Sequence, residues 1–380
     1  MFLRQSGLLL AAGILALAGA DQSGRSGVSK PKVILDNDWT TVEFLPFLQA
    51  LKAGWDVLGL IGDTGNTWAL QSSLHALATL EIGNLSCIPV YKGADYPIIN
   101  TQELAQIWGL LHGRLPFEGA FGAENATAEQ AGGDPKGGNP ERISRAAFYE
   151  GFPNTTHVRD VSAAEFLVQT VRRYPGEVTI FSAGTLTNIA LAHRIDPTFA
   201  KNTKGLVLMG GYIDVNLLQV TGTVRQADYH SDINLKLDPE GSKMALTAPF
   251  PSITLVGNAA NQFAPSDEFL NEVYQVKNPY THLMHKYFKR GQPLWDGTAA
   301  AVMVDPGIVT QSTDFYVDVD TSYASPTYGN IHAYQEALKP QAQNLRKVRM
   351  VVSLDEERLR KQVKQALQSP PSCADLTNRT

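Results

Sequence analysis

The segment Val33-Ile34-Leu35-Asp36-Asn37-Asp38 constrains this chain more than any other. A short, continuous apolar run reads as a strand buried on both faces, and strands of that kind belong to parallel sheets flanked by helices. Two carboxylates on alternate residues at its end place an acidic site at the carboxyl edge of an α/β sheet. The residues that follow read as a turn into a helix over 41–53, so that Glu43 in its first turn swings back toward Asp38. Acids packed together without a counter-ion repel one another and raise their own pKa values, and a hard divalent ion, Ca²⁺ or Mg²⁺, relieves that repulsion. The competing reading is that Asp36 and Asp38 only cap the next helix.

The same alternation continues along the chain. Strands are expected at 33–38, 57–62, 88–91, 177–182, 205–210, 251–256, 314–319 and 347–353. Helices are expected at 41–53, 67–82, 102–112, 162–174, 187–194, 239–246, 266–289, 297–303 and 355–368. The pattern predicts an α/β fold: an open, mainly parallel sheet with helices on both faces. Periodicity fails near 113–160, where Gly132-Gly133-Asp134-Pro135-Lys136-Gly137-Gly138 marks a long surface loop, either a lid or a glycosylated insertion. With 43% hydrophobic residues over 380 positions and no linker-like tract, one large domain over 21–380 accounts for the length.

Several functions are disfavoured. The net charge of -5 and the lack of an extended basic block argue against a nucleic-acid partner. No G-x-G-x-x-G follows a strand and no P-loop is present, so a dinucleotide or ATP cofactor lacks support. Cys87 and Cys373 lack zinc-site spacing; whether they pair is left open.

Residues 1–20 read as a signal peptide, with Arg4, an apolar stretch from Leu8 to Gly19, and Ala18-Gly19-Ala20 before Asp21. The mature chain is then expected to be secreted and free of the membrane. Asn84, Asn125, Asn154 and Asn378 begin glycosylation sequons that matter only on such a route.

Motifs in order carry a resemblance. Asp36, Asp38, Val42 and Glu43 stand where the nucleoside hydrolase family has D-x-D-x-x-x-D-D. Ile61-Gly62-Asp63-Thr64-Gly65-Asn66 looks like its second strand and Gly-Asn turn, and Gly184-Thr185-Leu186-Thr187-Asn188-Ile189-Ala190-Leu191-Ala192 like its G-x-L-T-N-x-A-L-A segment. Leu206-Val207-Leu208-Met209-Gly210-Gly211 is similar to its V-L-M-G-G strand end. Asp232-Ile233-Asn234 with Asp238-Pro239-Glu240 looks like its E-F-N-x-x-x-D-P-E block, and Trp295-Asp296 like its H/W-D pair. The chain thus resembles nucleoside hydrolases from about Lys32 to Leu367.

That resemblance implies a calcium-dependent hydrolase of N-glycosidic bonds acting on a nucleoside or related small glycoside. Asp38, Glu43, Asp296 and the backbone carbonyl of Thr187 would be the Ca²⁺ ligands, with Asp38 also the general base and Asp36 orienting a neighbour. Asn66, Asn234 and Asp232 would bind sugar hydroxyls, with Met209 against the sugar. Trp295 looks like the purine-preferring branch and would stack on the base; Trp108, Tyr96 and Trp39 are candidates for a facing aromatic. Val42, where the family has the aspartate that grips the sugar diol, puts an ordinary ribonucleoside in question. The rival reading is a secreted calcium- and ligand-binding protein that kept the fold without the activity. A homo-oligomer is left open.

Overall fold

The computed structural model describes residues 30–213 and 232–377. The expected signal peptide and the sequon at Asn378 lie outside them. Nine strands form one sheet: β1 (Lys32–Asn37), β2 (Asp56–Gly62), β3 (Val90–Lys92), β4 (Val178–Ala183), β5 (Gly205–Leu208), β6 (Ile253–Leu255), β7 (Val309–Val319), β8 (Ile331–Tyr334) and β9 (Arg346–Leu354). Their order is β3-β2-β1-β4-β5-β6-β9-β7-β8. The stretch from β3 to β9 is parallel; β7 runs antiparallel to β9, and β8 to β7. The mainly parallel α/β sheet is therefore as the sequence predicts.

Burial on both faces explains the apolar runs. In β1, Val33 and Leu35 join one hydrophobic cluster while Ile34 joins the other, the two-residue alternation of a strand between two layers. The first cluster is covered by the helices Leu45–Lys52, Ala69–Ile82, Trp295–Val304 and Glu356–Gln368, the second by Ala163–Arg173, Thr187–Ile195 and Pro239–Thr247. Trp39, Phe44, Phe47 and Tyr280 are fully buried under the acidic end of β1, and the Tyr280 hydroxyl donates to Thr79 O at 2.8 Å. Burial of each such ring is worth roughly 1.5–3 kcal/mol.

Four local expectations change. The first helix begins at Leu45 rather than 41, with Pro46 in its opening turn, so Glu43 lies in the turn before it, where its N–H donates to Thr40 O. The helix expected over 266–289 is two helices, Asp267–Val273 and Pro279–Tyr287, because Asn278 caps a new start and Pro279 has no N–H to continue the old one. The strand expected to reach residue 210 ends at Leu208: Gly210 and Gly211 take φ of 142° and 81° and turn the chain away from the sheet. The short strand β8 was not expected, since four residues are too few for periodicity to register.

The loop at 113–160 is built in. Its residues carry a short helix, Ala126–Gln130, and Trp68 Nε1 and Thr67 Oγ1 donate to the carbonyls of Gly137 and Pro135. Cys87 and Cys373 form a disulfide. No helix among the described residues is long and apolar enough to cross a membrane.

Candidate active site

Strand order reverses between β1 and β4, and open α/β sheets bind ligands in the crevice beyond that point. The acids converge there. Asp36 points to the second layer, where Asn188 Nδ2 donates to its Oδ1 at 3.1 Å. Asn37 points to the first, and its Nδ2 donates to Asp296 Oδ2 at 3.3 Å. Asp38 lies just past the strand, where the Asn66 backbone N–H donates to its Oδ2 at 2.7 Å. Asp63 follows β2, its own N–H donating to Asn37 O.

Five carboxyl groups thus share one buried region. Burial pushes Asp36 up to about 7, against the opposing Asn188 hydrogen bond. It pushes Glu43 up to about 7 as well, against a hydrogen bond with Asp296. Asp38, Asp63 and Asp296 are held well above the usual carboxylate range, by burial first and then by neighbouring acids, chiefly Glu43 for Asp38 and Asp296 and Asp36 for Asp63. No amide, hydroxyl or backbone N–H among the described residues donates to either oxygen of Asp63, whose contact is the equally buried Asp36 carboxyl. Such a cluster needs protons or a cation to be stable.

The approach of these groups depends on two glycines. A Cβ at Gly65 would sit on the Asp38 carboxylate, and one at Gly184 on that of Asp63. The strand ends and turns that carry the acids therefore close together only where a side chain is missing.

The acids open onto a cleft of about 760 Å³. Asp38, Glu43, Asn66, Met209, Asp232, Asn234, Trp295 and Asp296 all line it, so eight of the ten residues singled out from sequence meet in one place. Asp36 lies behind them, fully buried. Thr187 does not line the cleft; it opens a helix and its hydroxyl donates to Asp238 Oδ2 at 2.6 Å.

Some of these side chains are partly committed. Asp232 Oδ2 accepts the N–H groups of Gly211 and Tyr212 at 2.7 and 2.9 Å, which fixes the turn after β5. Burial moves Asp232 up to about 6, opposed by those hydrogen bonds. Asn234 Nδ2 donates to Met209 O at 2.9 Å. Trp295 is half-buried and its Nε1 donates to Asn261 Oδ1 at 2.6 Å.

None of the three aromatics expected to face Trp295 does so. Trp39 is in the core with its Nε1 on Ile61 O, Tyr96 packs edge-on against Trp68 at the surface, and Trp108 donates to Ser325 O. The aromatic rings that share the cleft with Trp295 are Phe117 and Tyr212. Val42 lines a second chamber of about 1050 Å³, walled by the 113–160 segment and sharing Glu43, Asn66 and Phe117 with the cleft.

Among the described residues, no set of three or more His, Cys, Asp or Glu side chains is closed around one point as a metal site. The donor set nonetheless fits a hard cation: it is all oxygen, buried and mutually repelling, and Asp63 meets another carboxyl in place of a neutral donor.

Comparison with known proteins accords with this geometry. Residues 33–361 match the family model for inosine-uridine preferring nucleoside hydrolases. The chain belongs to that family. Nucleoside hydrolases cleave N-glycosidic bonds, so the protein is an N-glycosyl hydrolase whose substrates are small nucleosides. It is 34% identical to the uncharacterised protein C800.11 of Schizosaccharomyces pombe, over 86% of this chain and 82% of that one. It is 28% identical to uridine nucleosidase 1 of Arabidopsis thaliana, over 72% and 71%. Among solved structures, a plant nucleoside hydrolase, PpNRh1, superposes with a TM-score of 0.66 at 22% identity, covering 90% of this chain and all of that one. An inosine-guanosine nucleoside hydrolase gives 0.65 at 18%, covering 90% and 99%. At such identities the superpositions speak for the nucleoside hydrolase fold.

Asp63 is the site residue that sequence reading passed over. It follows an apolar strand just as Asp36 ends one, and that signal was available. Tyr212 and Asn261 left no signal, since they reach the cleft only through the turns after β5 and β6.

Proposed function

We propose that this nucleoside hydrolase is a secreted, calcium-dependent enzyme that prefers purine nucleosides. The observation that carries the calcium reading is the buried carboxyl cluster at the strand-order reversal, opening onto a cleft that Trp295 also lines. Asp38, Glu43 and Asp296 would hold the ion, with the Thr187 carbonyl the further ligand implied by family resemblance. A Ca²⁺ held there would neutralise the cluster and would supply an acidified water.

The chain's own residues do the rest. Asp38, fixed by the Asn66 N–H, takes a proton from the attacking water. Water adds to the anomeric carbon while the bond to the base breaks and its electron pair leaves with the base. Carboxylates in the cleft stabilise the positive charge that grows on the sugar. Asn66, Asn234 and Asp232 bind sugar hydroxyls, Met209 packs against the sugar, and Trp295 stacks on the base.

Purine preference rests on the indole of Trp295, a broad face suited to a two-ring base. A specific observation favours the other reading: related proteins carry the names uridine nucleosidase and, for one of Escherichia coli at 25% identity, pyrimidine-specific ribonucleoside hydrolase. Secretion is supported by the Cys87–Cys373 disulfide, which suits an oxidising compartment, and by the exposure of Asn84, Asn125 and Asn154.

Base release from a panel of purine and pyrimidine ribonucleosides and deoxynucleosides, with calcium and with chelator, tests the proposal. Chelator-sensitive release, fastest from inosine or guanosine, supports it. Faster release from uridine overturns the purine preference, and release indifferent to chelator overturns the metal.

A further inference from the structure

This inference rests on the nucleosidase reading and concerns how the departing base is held. The wall of the cleft that carries Trp295 holds two more polar side chains, Asn261 and Tyr212, which are 7% and 5% exposed. The Trp295 indole N–H donates to Asn261 Oδ1 at 2.6 Å. An indole N–H can only donate, so the atom facing it is the amide oxygen and the orientation of the amide is fixed. Asn261 Nδ2, the other end of that amide, is buried without a short hydrogen bond and meets the Tyr212 phenol. A buried donor of this kind is expensive unless a ligand or a neighbour uses it.

The neighbour is Tyr212. Burial drives its phenol far above the usual range, and the adjacent Asn261 amide opposes that shift. The backbone of Tyr212 is pinned by Asp232 through the 2.9 Å hydrogen bond to its N–H. A neutral phenol has one proton to donate. An amide N–H directed at its oxygen turns that proton away from Asn261 and toward the cleft.

We propose that Tyr212 donates a hydrogen bond to the departing base, and that Asn261, anchored on Trp295, is the positioning residue that aims it. The ligand group is an acceptor beside the glycosidic nitrogen: a purine ring nitrogen or a pyrimidine carbonyl oxygen. As the glycosidic bond breaks, its electron pair moves onto the base and strengthens this hydrogen bond. The phenol keeps its proton, and the released base takes one from solvent. Donors aimed at developing charge in a buried site are a main source of rate enhancement.

The test compares natural nucleosides with 4-nitrophenyl β-D-ribofuranoside, whose leaving group departs without help. Wild type, Tyr212→Phe, Asn261→Ala and the double variant are assayed for kcat and KM on inosine, uridine and the nitrophenyl riboside, with thermal melting to verify folding. The expected result is a loss of about 10²- to 10³-fold in kcat on nucleosides for Tyr212→Phe, the range for one such donor. The same variant should change the nitrophenyl riboside less than about threefold. Because Asn261 acts through Tyr212, the double variant should be no slower than Tyr212→Phe. Equal losses on both substrate types, full activity of Tyr212→Phe on nucleosides, or additive losses in the double variant overturn the proposal. Wild type that cleaves the nitrophenyl riboside but no nucleoside overturns it together with the nucleosidase reading.

Discussion

His75 and Glu150, 75 residues apart, share a 2.5 Å hydrogen bond between side chains that are both fully buried. The other ring nitrogen of His75 lies 2.9 Å from Asp134, and the second oxygen of Glu150 accepts from Thr41 Oγ1 at 2.6 Å. This chain of contacts ties the 113–160 segment to the helix Ala69–Ile82 and to the turn that presents Glu43.

A pH dependence of stability follows from it. Burial alone would lower the His75 pKa, but Asp134 and Glu150 override it and raise it to about 10, from 6.5. A raised basic group stabilises the fold fully below its unfolded pKa and loses that contribution as pH rises through its folded one. Stability should therefore fall between pH 6.5 and 10, with a slope on the order of 1 kcal/mol per pH unit. Urea unfolding across that range checks it; Glu150→Gln should cost about 3 kcal/mol near neutral pH. A flat profile in wild type would mean that His75 is neutral in the fold.

The reading of the sequence was soundest where one local signal sufficed. Asp36, Asp38 and Asp296 sit in short motifs at a strand end or helix start, and the fold brought them together. It failed where long-range packing decides. The helical pattern over 266–289 is continuous in polarity, yet a capped proline divides it. Phe117 and Tyr212, not Trp39, Tyr96 or Trp108, share the cleft with Trp295, because nothing in a tryptophan's local sequence tells whether its ring lies in the core or in a cleft. Asp63 carries the same strand-end signal as Asp36, and the parallel pairing of β2 with β1 sets it among the acids.

Calcium should stabilise the protein as well as activate it. An ion that binds only the folded chain adds about 2.7 kcal/mol when present at a hundred times its Kd. Here it would also relieve repulsion among Asp38, Glu43 and Asp296. Melting in chelator, magnesium and calcium should rank in that order, calcium highest. Identical midpoints in all three would leave the cluster to be neutralised by protons.

Asp38→Asn separates chemistry from stability. Losing the general base should lower kcat by about 10²- to 10⁴-fold. In chelator the variant should melt no lower than wild type, since an amide of the same shape removes one of several buried, mutually repelling carboxyls while it still accepts from the Asn66 N–H. Activity within tenfold of wild type would move the base role to another acid, with Asp63 the next to test.

A pair of distant variants distinguishes the needs of the site from those of the fold. Gly65→Ala places a methyl group on the Asp38 carboxylate, at the wall of the cleft. The carboxylate must turn, so activity should fall at least tenfold, whereas the exposed ends of the fold are untouched. Cys373→Ser breaks the disulfide to Cys87, which closes a loop of 286 residues and lines neither chamber of the site. Loss of a native disulfide costs about 2–5 kcal/mol, chiefly by freeing the unfolded chain. Cys373→Ser should therefore melt lower yet turn over substrate normally at 25 °C, the reverse of Gly65→Ala. Assaying both for kcat and for unfolding midpoint checks the contrast. A Cys373→Ser enzyme that is folded but inactive would show that the site depends on the carboxyl-terminal tether, and a fully active Gly65→Ala enzyme would show that Asp38 has room the geometry denies it.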